Sequence, residues 1–142
     1  MNTAKSDALR AVLDSNIYVS AFTRPQGTLF RIWSQAVDRR YRLIASAAIV
    51  NEVGGVLRLK FGWDDIRIVS QLRLMTSVAE IVTPASPVNA IPADEDDNRI
   101  LECAVAGRAS LIVSLDRHLL SLKTFQGIAI IHPSDFRRIL GN

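Results

Sequence analysis

The sequence predicts an α/β domain in which five parallel strands are covered by helices. Short apolar runs rich in β-branched residues recur along the chain. Helix-length segments separate them, and such alternation builds a parallel sheet with helices packed on it. The bulk composition agrees: 142 residues, 49% hydrophobic and 22% charged, describe one ordinary globular domain. Such a chain buries roughly two-thirds of the surface it exposes when unfolded.

The strands are expected over Arg10 to Asp14, Arg42 to Ala45, Ala79 to Val82, Leu111 to Ser114 and Ile128 to Ile131. The helices are expected over Thr28 to Arg39, Ser46 to Leu59, Asp64 to Val78, Asp97 to Gly107 and Arg117 to Leu122, with Ser134 to Leu140 closing the chain. The helix from Asp97 shows its period well. Ile100, Leu101, Ala104 and Val105 form one stripe, Arg99, Glu102 and Arg108 face elsewhere, and Gly107 supplies a stop. Pro84, Pro87 and Pro92 punctuate residues 83–93, which reads as a crossover loop within one domain. Residues 1–9 are polar and read as a loose tail, leaving 10–142 as the folded unit.

Several classes are disfavoured at once. The longest apolar run, Leu43 to Val50, is far shorter than the roughly 20 residues of a membrane span, and the N-terminus lacks the apolar core of a secretory signal. Cys103 is the single cysteine, which rules out an intrachain disulfide and favours a reduced, cytoplasmic protein. A net charge of +3 permits an anionic partner without requiring one.

The chemistry lies in the acids. Ligands of open α/β sheets bind outside the carboxyl ends of the strands. Asp14 ends the first strand, Asp116 follows the fourth, and Asp97 opens the fourth helix on the same edge. Glu52 sits inside the second helix at the margin of its apolar stripe, where a carboxylate needs a partner. Each has a bland explanation when taken singly: Asp97 and Asp116 as helix caps, Asp14 as a turn former, Glu52 as a solvated charge. Taken together they form a cluster whose mutual repulsion a cation must relieve. With neither histidine nor cysteine in the set, the cation is a hard one, Mg²⁺ or Mn²⁺, which leaves positions open for phosphate oxygens.

These residues carry a resemblance. Val12-Leu13-Asp14-Ser15-Asn16-Ile17 resembles the opening Asp-x-Asn motif of PIN domains, and Ser46 to Leu57 their second helix with its Glu. Asp97-Asn98-Arg99-Ile100 followed by Ala104 matches their third acid, and Ser114-Leu115-Asp116 their fourth. The run Asp94-Glu95-Asp96-Asp97-Asn98, Asp116-Arg117-His118-Leu119-Leu120 and His132-Pro133-Ser134-Asp135-Phe136 are similar to the toxin-component, VapC-like branch of that family.

The resemblance implies a three-layer α/β/α fold with strand order 3-2-1-4-5 and divalent-metal-dependent cleavage of single-stranded RNA. It also implies the toxin of a type II toxin–antitoxin pair, with a cognate antitoxin and a homodimer or higher oligomer as partners. Asp14, Glu52, Asp97 and Asp116 would be the metal ligands, Asn16 and Ser114 would hydrogen-bond within the cluster, and Asp94 and Asp96 are secondary candidates. Gly54-Gly55 departs from the pattern, since each glycine costs about 1 kcal/mol in a helix interior. It either loosens Glu52 or permits close packing.

Other residues are weighed as structural. His118 and His132 read as exposed, and Phe30, Trp33 and Trp63 read as core or dimer packing in preference to stacking on RNA. Arg24, Arg31, Arg39, Arg40, Arg42, Lys60 and Arg67 suit solvated helix faces as well as they suit a phosphate groove. Two other functions compete with the nuclease. One is a phosphatase-like site with Asp14 as nucleophile, which lacks the second acid such a motif wants. The other is a non-catalytic module that binds RNA or protein.

Overall fold

The computed structural model describes residues 9–87 and 95–141. Of the expected tail only Leu9 falls among them, and Asp94 lies outside them. The strands are β1 (Arg10–Leu13), β2 (Arg42–Ser46), β3 (Glu80–Val82), β4 (Leu111–Val113), β5 (Thr124–Phe125) and β6 (Ile128–Ile131). The helices are α1 (Ser15–Thr23), α2 (Thr28–Val37), α3 (Ala47–Phe61), α4 (Asp65–Val78), α5 (Glu95–Ala106), α6 (Arg117–Leu122) and α7 (Pro133–Leu140).

The sheet runs β3-β2-β1-β4-β6-β5. Its first five members pair in parallel, so the expected order 3-2-1-4-5 is present, with β6 as the fifth expected strand. The addition is β5, two residues that pair antiparallel with β6 and form the sheet edge. With this strand order, the right-handed rule for parallel crossovers puts α1 to α4 on one face and α5 on the other, and α5 packs across β1, β2 and β4. The central strands are buried on both faces, Ala11, Val12, Ile112 and Val113 being fully enclosed, and their unbroken apolar runs follow from that.

The helix α1 is absent from the expected elements. Ser15, Ile17, Tyr18, Val19, Ala21 and Phe22 are all buried, and the polar face is only the narrow stripe Asn16, Ser20 and Thr23, small uncharged side chains that mark a helix weakly. Tyr18 and Phe22 join Trp33 of α2 in an aromatic cluster with ring centroids 5.1 to 6.2 Å apart. Trp33 is therefore core, and Trp63 is covered by the guanidinium of Arg67, 3.7 Å from its ring centroid.

Ions tie the amino edge of the sheet together. Arg10 at the start of β1 grips Glu80 of β3 with two hydrogen bonds of 3.1 Å and also donates to the Gly107 carbonyl. Arg42 of β2 reaches the same carboxylate at 3.4 Å. Arg10 holds the Glu80 carboxyl below the usual carboxylate range, first by hydrogen bonding.

Gly54 lies where α3 crosses α4. A Cβ there would stand 3.0 Å from Leu72 Cδ1, so this glycine permits close packing, whereas Gly55 faces open space. Arg40 and Arg42 serve the fold as well, donating to the Leu140 carbonyl and to Glu80.

Candidate metal centre

At the carboxyl edge, β1 and β4 lie side by side with Leu13 opposite Val113, so the residues just past them emerge together. Asp14 occupies the N-cap position of α1, yet its side chain makes no cap hydrogen bond. Its carboxylate is buried and accepts a 2.7 Å hydrogen bond from the Ser114 hydroxyl. The turn-former explanation of Asp14 therefore leaves its side chain unexplained. Ser114 is fully enclosed, and its oxygen also accepts from the Asp116 backbone N–H at 2.9 Å. One hydroxyl thus links the first acid to the fourth.

Asp116 caps α6, its Oδ1 accepting from the backbone N–H of His118 at 2.7 Å and of Leu119 at 3.2 Å. The cap fixes the carboxylate where the chain leaves β4. Asp97 arrives from the opposite face. The helix α5 begins at Glu95, two residues earlier than expected, so Asp97 sits within its first turn, is buried, and is followed by the buried Asn98.

Ligand atoms of Asp97, Asp116 and His118 all lie within 4.8 Å of one another. The imidazole of His118 is 66% exposed and stands 3.9 Å from Asp116 Oδ1. Exposure and a place beside Asp116 were expected of this histidine, but its approach to Asp97 was not, because a hydrophobic pattern does not report which way an exposed ring turns. Two carboxylates and an imidazole this close together could offer ligand atoms to one cation.

Glu52 is half-buried on α3, at the margin expected of it. It accepts a 3.0 Å hydrogen bond from Ser15, which ties α3 to the first turn of α1 just after Asp14. Asn16, one residue further along α1, is exposed. Asp96 is exposed in the first turn of α5.

The stripe read for α5 needs two corrections. Val105 is 39% exposed, whereas Glu102, placed on the polar face by its spacing, is 8% exposed. Arg99 makes this burial tolerable, donating from Nε and Nη2 to the two Glu102 oxygens at 2.8 and 2.7 Å. The pairing in turn raises the Arg99 pKa above its ordinary value.

A family model described as the PIN domain matches residues 10–118. The chain belongs to the PIN domain family. That match spans the strands and helices from β1 into α6, with all four acids inside it. This PIN domain is 29% identical over 120 residues to the uncharacterised protein MJ1680 of Methanocaldococcus jannaschii, covering 81% of the chain and 76% of that relative. Its fold is similar to VapBC2 from Rickettsia felis, solved bound to a DNA fragment from its promoter, with a TM-score of 0.63 and 16% identity. That likeness covers 87% of this chain and 98% of the other. PAE2754 from Pyrobaculum aerophilum is similar over 93% and 96% of the two chains, with a TM-score of 0.55 and 18% identity.

Proposed function

We propose that this PIN domain, folded from residue 10 onward, is a divalent-metal-dependent endoribonuclease that hydrolyses single-stranded RNA. The observation that carries the reading is the convergence of Asp97, Asp116 and His118 within 4.8 Å, beside an Asp14 that Ser114 ties to Asp116. Asp14, Glu52, Asp97 and Asp116 would hold Mg²⁺ or Mn²⁺, directly or through water, with Asn16, Ser114, Asp94 and Asp96 as supporting candidates. When bound, such an ion activates water and stabilises the attacking and leaving oxygens of a phosphodiester.

The protein's own residues supply orientation. Ser114 holds Asp14 through a charge-assisted hydrogen bond, Ser15 holds Glu52, and the α6 cap fixes Asp116. Burial of Asp14 and Asp97 strengthens their hold on a cation by keeping water away from them.

We also propose a toxin role with a cognate antitoxin, which the fold shared with VapBC2 supports, and a homodimer or higher homo-oligomer in the cytoplasm. Among the described residues no helix is long and apolar enough to cross a membrane.

Purified protein is incubated with end-labelled single-stranded RNA in Mg²⁺, in Mn²⁺ and in EDTA, with Asp97→Asn alongside. Cleavage that requires the ion and is lost in Asp97→Asn is the expected result. Cleavage in EDTA, or by Asp97→Asn at the parent rate, overturns the reading, and RNA that is bound but never cut identifies a non-catalytic module.

A further inference from the structure

The carboxyl edge carries a second feature beside the acids. Between the ends of β2 and β3, the first turn of α3 and the outer side of α5 lies an open cleft of about 230 Å³. Ala48, Ile81, Val82 and Pro84 are its apolar walls, and Arg99 and Glu102 form its polar side. At about 30 Å³ per water this is the room of seven or so waters, enough for a flat heterocycle.

The Arg99–Glu102 pair is unusual for its place. Ion pairs three residues apart on a helix ordinarily stand in solvent and contribute little. Here the carboxylate has been taken out of water, an arrangement that costs free energy, while its neighbours Ile100, Leu101, Cys103 and Ala104 fill the core. The fork uses Nε and Nη2 of Arg99, and among the described residues Nη1 of this 35% exposed side chain makes no hydrogen bond.

The sheet order places the cleft relative to the acids. It opens at the β2–β3 edge and the acids emerge at the β1–β4 edge, two strand spacings or about 10 Å away. That separation is a step of one or two nucleotides. Asp97 and Arg99 are two residues apart on α5, so one rigid helix carries both.

We propose that this cleft is a nucleobase subsite, which seats the base of a nucleotide flanking the scissile phosphate and reads its edge with the Arg99–Glu102 pair. The inference rests on the ribonuclease reading. Bases of a single strand are splayed out and recognised by apolar or aromatic contact on their faces and by hydrogen bonds on their edges. Guanidinium donors suit ring nitrogens and carbonyls, and a carboxylate suits exocyclic amino groups.

The test is fluorescence anisotropy with a labelled single-stranded RNA octamer in EDTA, so that binding is read without turnover, against a series in which one nucleotide at a time is abasic. Removal of one base is expected to weaken binding by the wild-type protein about tenfold. Ala48→Phe fills the cleft from an exposed helix position, and Arg99→Met with Glu102→Leu removes the pair without stranding a charge. Both variants are expected to bind intact RNA about tenfold more weakly and to lose the distinction between intact and abasic strands. Variants that bind like wild type overturn the proposal, as does a loss equal for intact and all abasic strands, which marks a phosphate contact. If wild-type protein cuts RNA while either of these results holds, the subsite fails and the nuclease stands. Wild-type protein that cuts RNA in Mg²⁺ yet binds none in EDTA overturns the subsite alone, because the cleft and its ion pair need no metal, and protein that neither binds nor cuts removes both.

Discussion

Replacing Ser114 by alanine tests how the acidic edge is held together. The hydroxyl is fully buried, donates to Asp14 at 2.7 Å and accepts from the Asp116 N–H at 2.9 Å. A hydrogen bond to a charged group contributes about 1.5–3 kcal/mol and one between neutral groups about 0.5–1.5. The volume lost is small, so the hydrogen-bond terms dominate, and Ser114→Ala is expected to destabilise the metal-free protein by about 2–4 kcal/mol. Urea unfolding in EDTA measures this directly, with the shift in midpoint converted through a common slope. Ser110→Ala is the control. It also sits at β4 but at the amino end, partly exposed and accepting from Arg10 N at 3.3 Å, and is expected to cost under about 1 kcal/mol. A Ser114→Ala loss no larger than that of Ser110→Ala refutes the idea that this hydroxyl secures the acids. Added Mg²⁺ is expected to recover part of the loss, because an ion bound only by the folded state stabilises it.

Three further outcomes follow from the same coordinates. Gly55→Ala is expected to stabilise the protein by about 0.5–1 kcal/mol, since a Cβ there meets nothing, whereas Gly107→Ala is expected to cost about 1–3 kcal/mol, since its Cβ would collide with Ile44 Cγ2; thermal melts of the two should shift in opposite directions. Glu80 is lowered in the folded state, so its contribution is present above the unfolded carboxylate pKa and is lost as pH falls through the lower folded value. The gap in urea midpoint between wild type and Glu80→Gln should accordingly be full at neutral pH and close below that value. Burial pushes the Cys103 thiol up to about 12, so native protein should be inert to a thiol reagent at pH 8 and react only as it unfolds in urea.

What the sequence disclosed divides along physical lines. Strands such as Leu111–Val113 are legible because burial on both faces demands a continuous apolar run, and Asp14 and Asp116 are legible because they stop such runs on the ligand-binding edge. The helix α1 is hidden because its exposed stripe is only Asn16, Ser20 and Thr23, short and uncharged, while Ile17 and Val19 imitate a strand. Two-residue β5 has no periodicity to detect. Within the site, the link from Ser15 to Glu52 and the approach of His118 to Asp97 depend on side-chain direction across elements, which spacing does not encode. Glu102 misleads because its burial is made tolerable by a neighbour three residues away, a compensation that a hydropathy pattern records as two solvated charges.

The hydroxyl of Ser114 and the carboxylate of Asp14 that it holds are separated by 100 residues of chain. Their strands are neighbours in space but not in synthesis, since β2 and β3 are made between them. A nascent chain therefore carries three of the four acids before β4 emerges to pair with β1, and contacts so distant in sequence form slowly. The acid cluster comes into being only with the central pairing of the sheet. A truncated or stalled product ending before Leu111 holds Asp14, Glu52 and Asp97 without the strand that aligns them, so the topology itself delays any activity of this edge until the domain is complete.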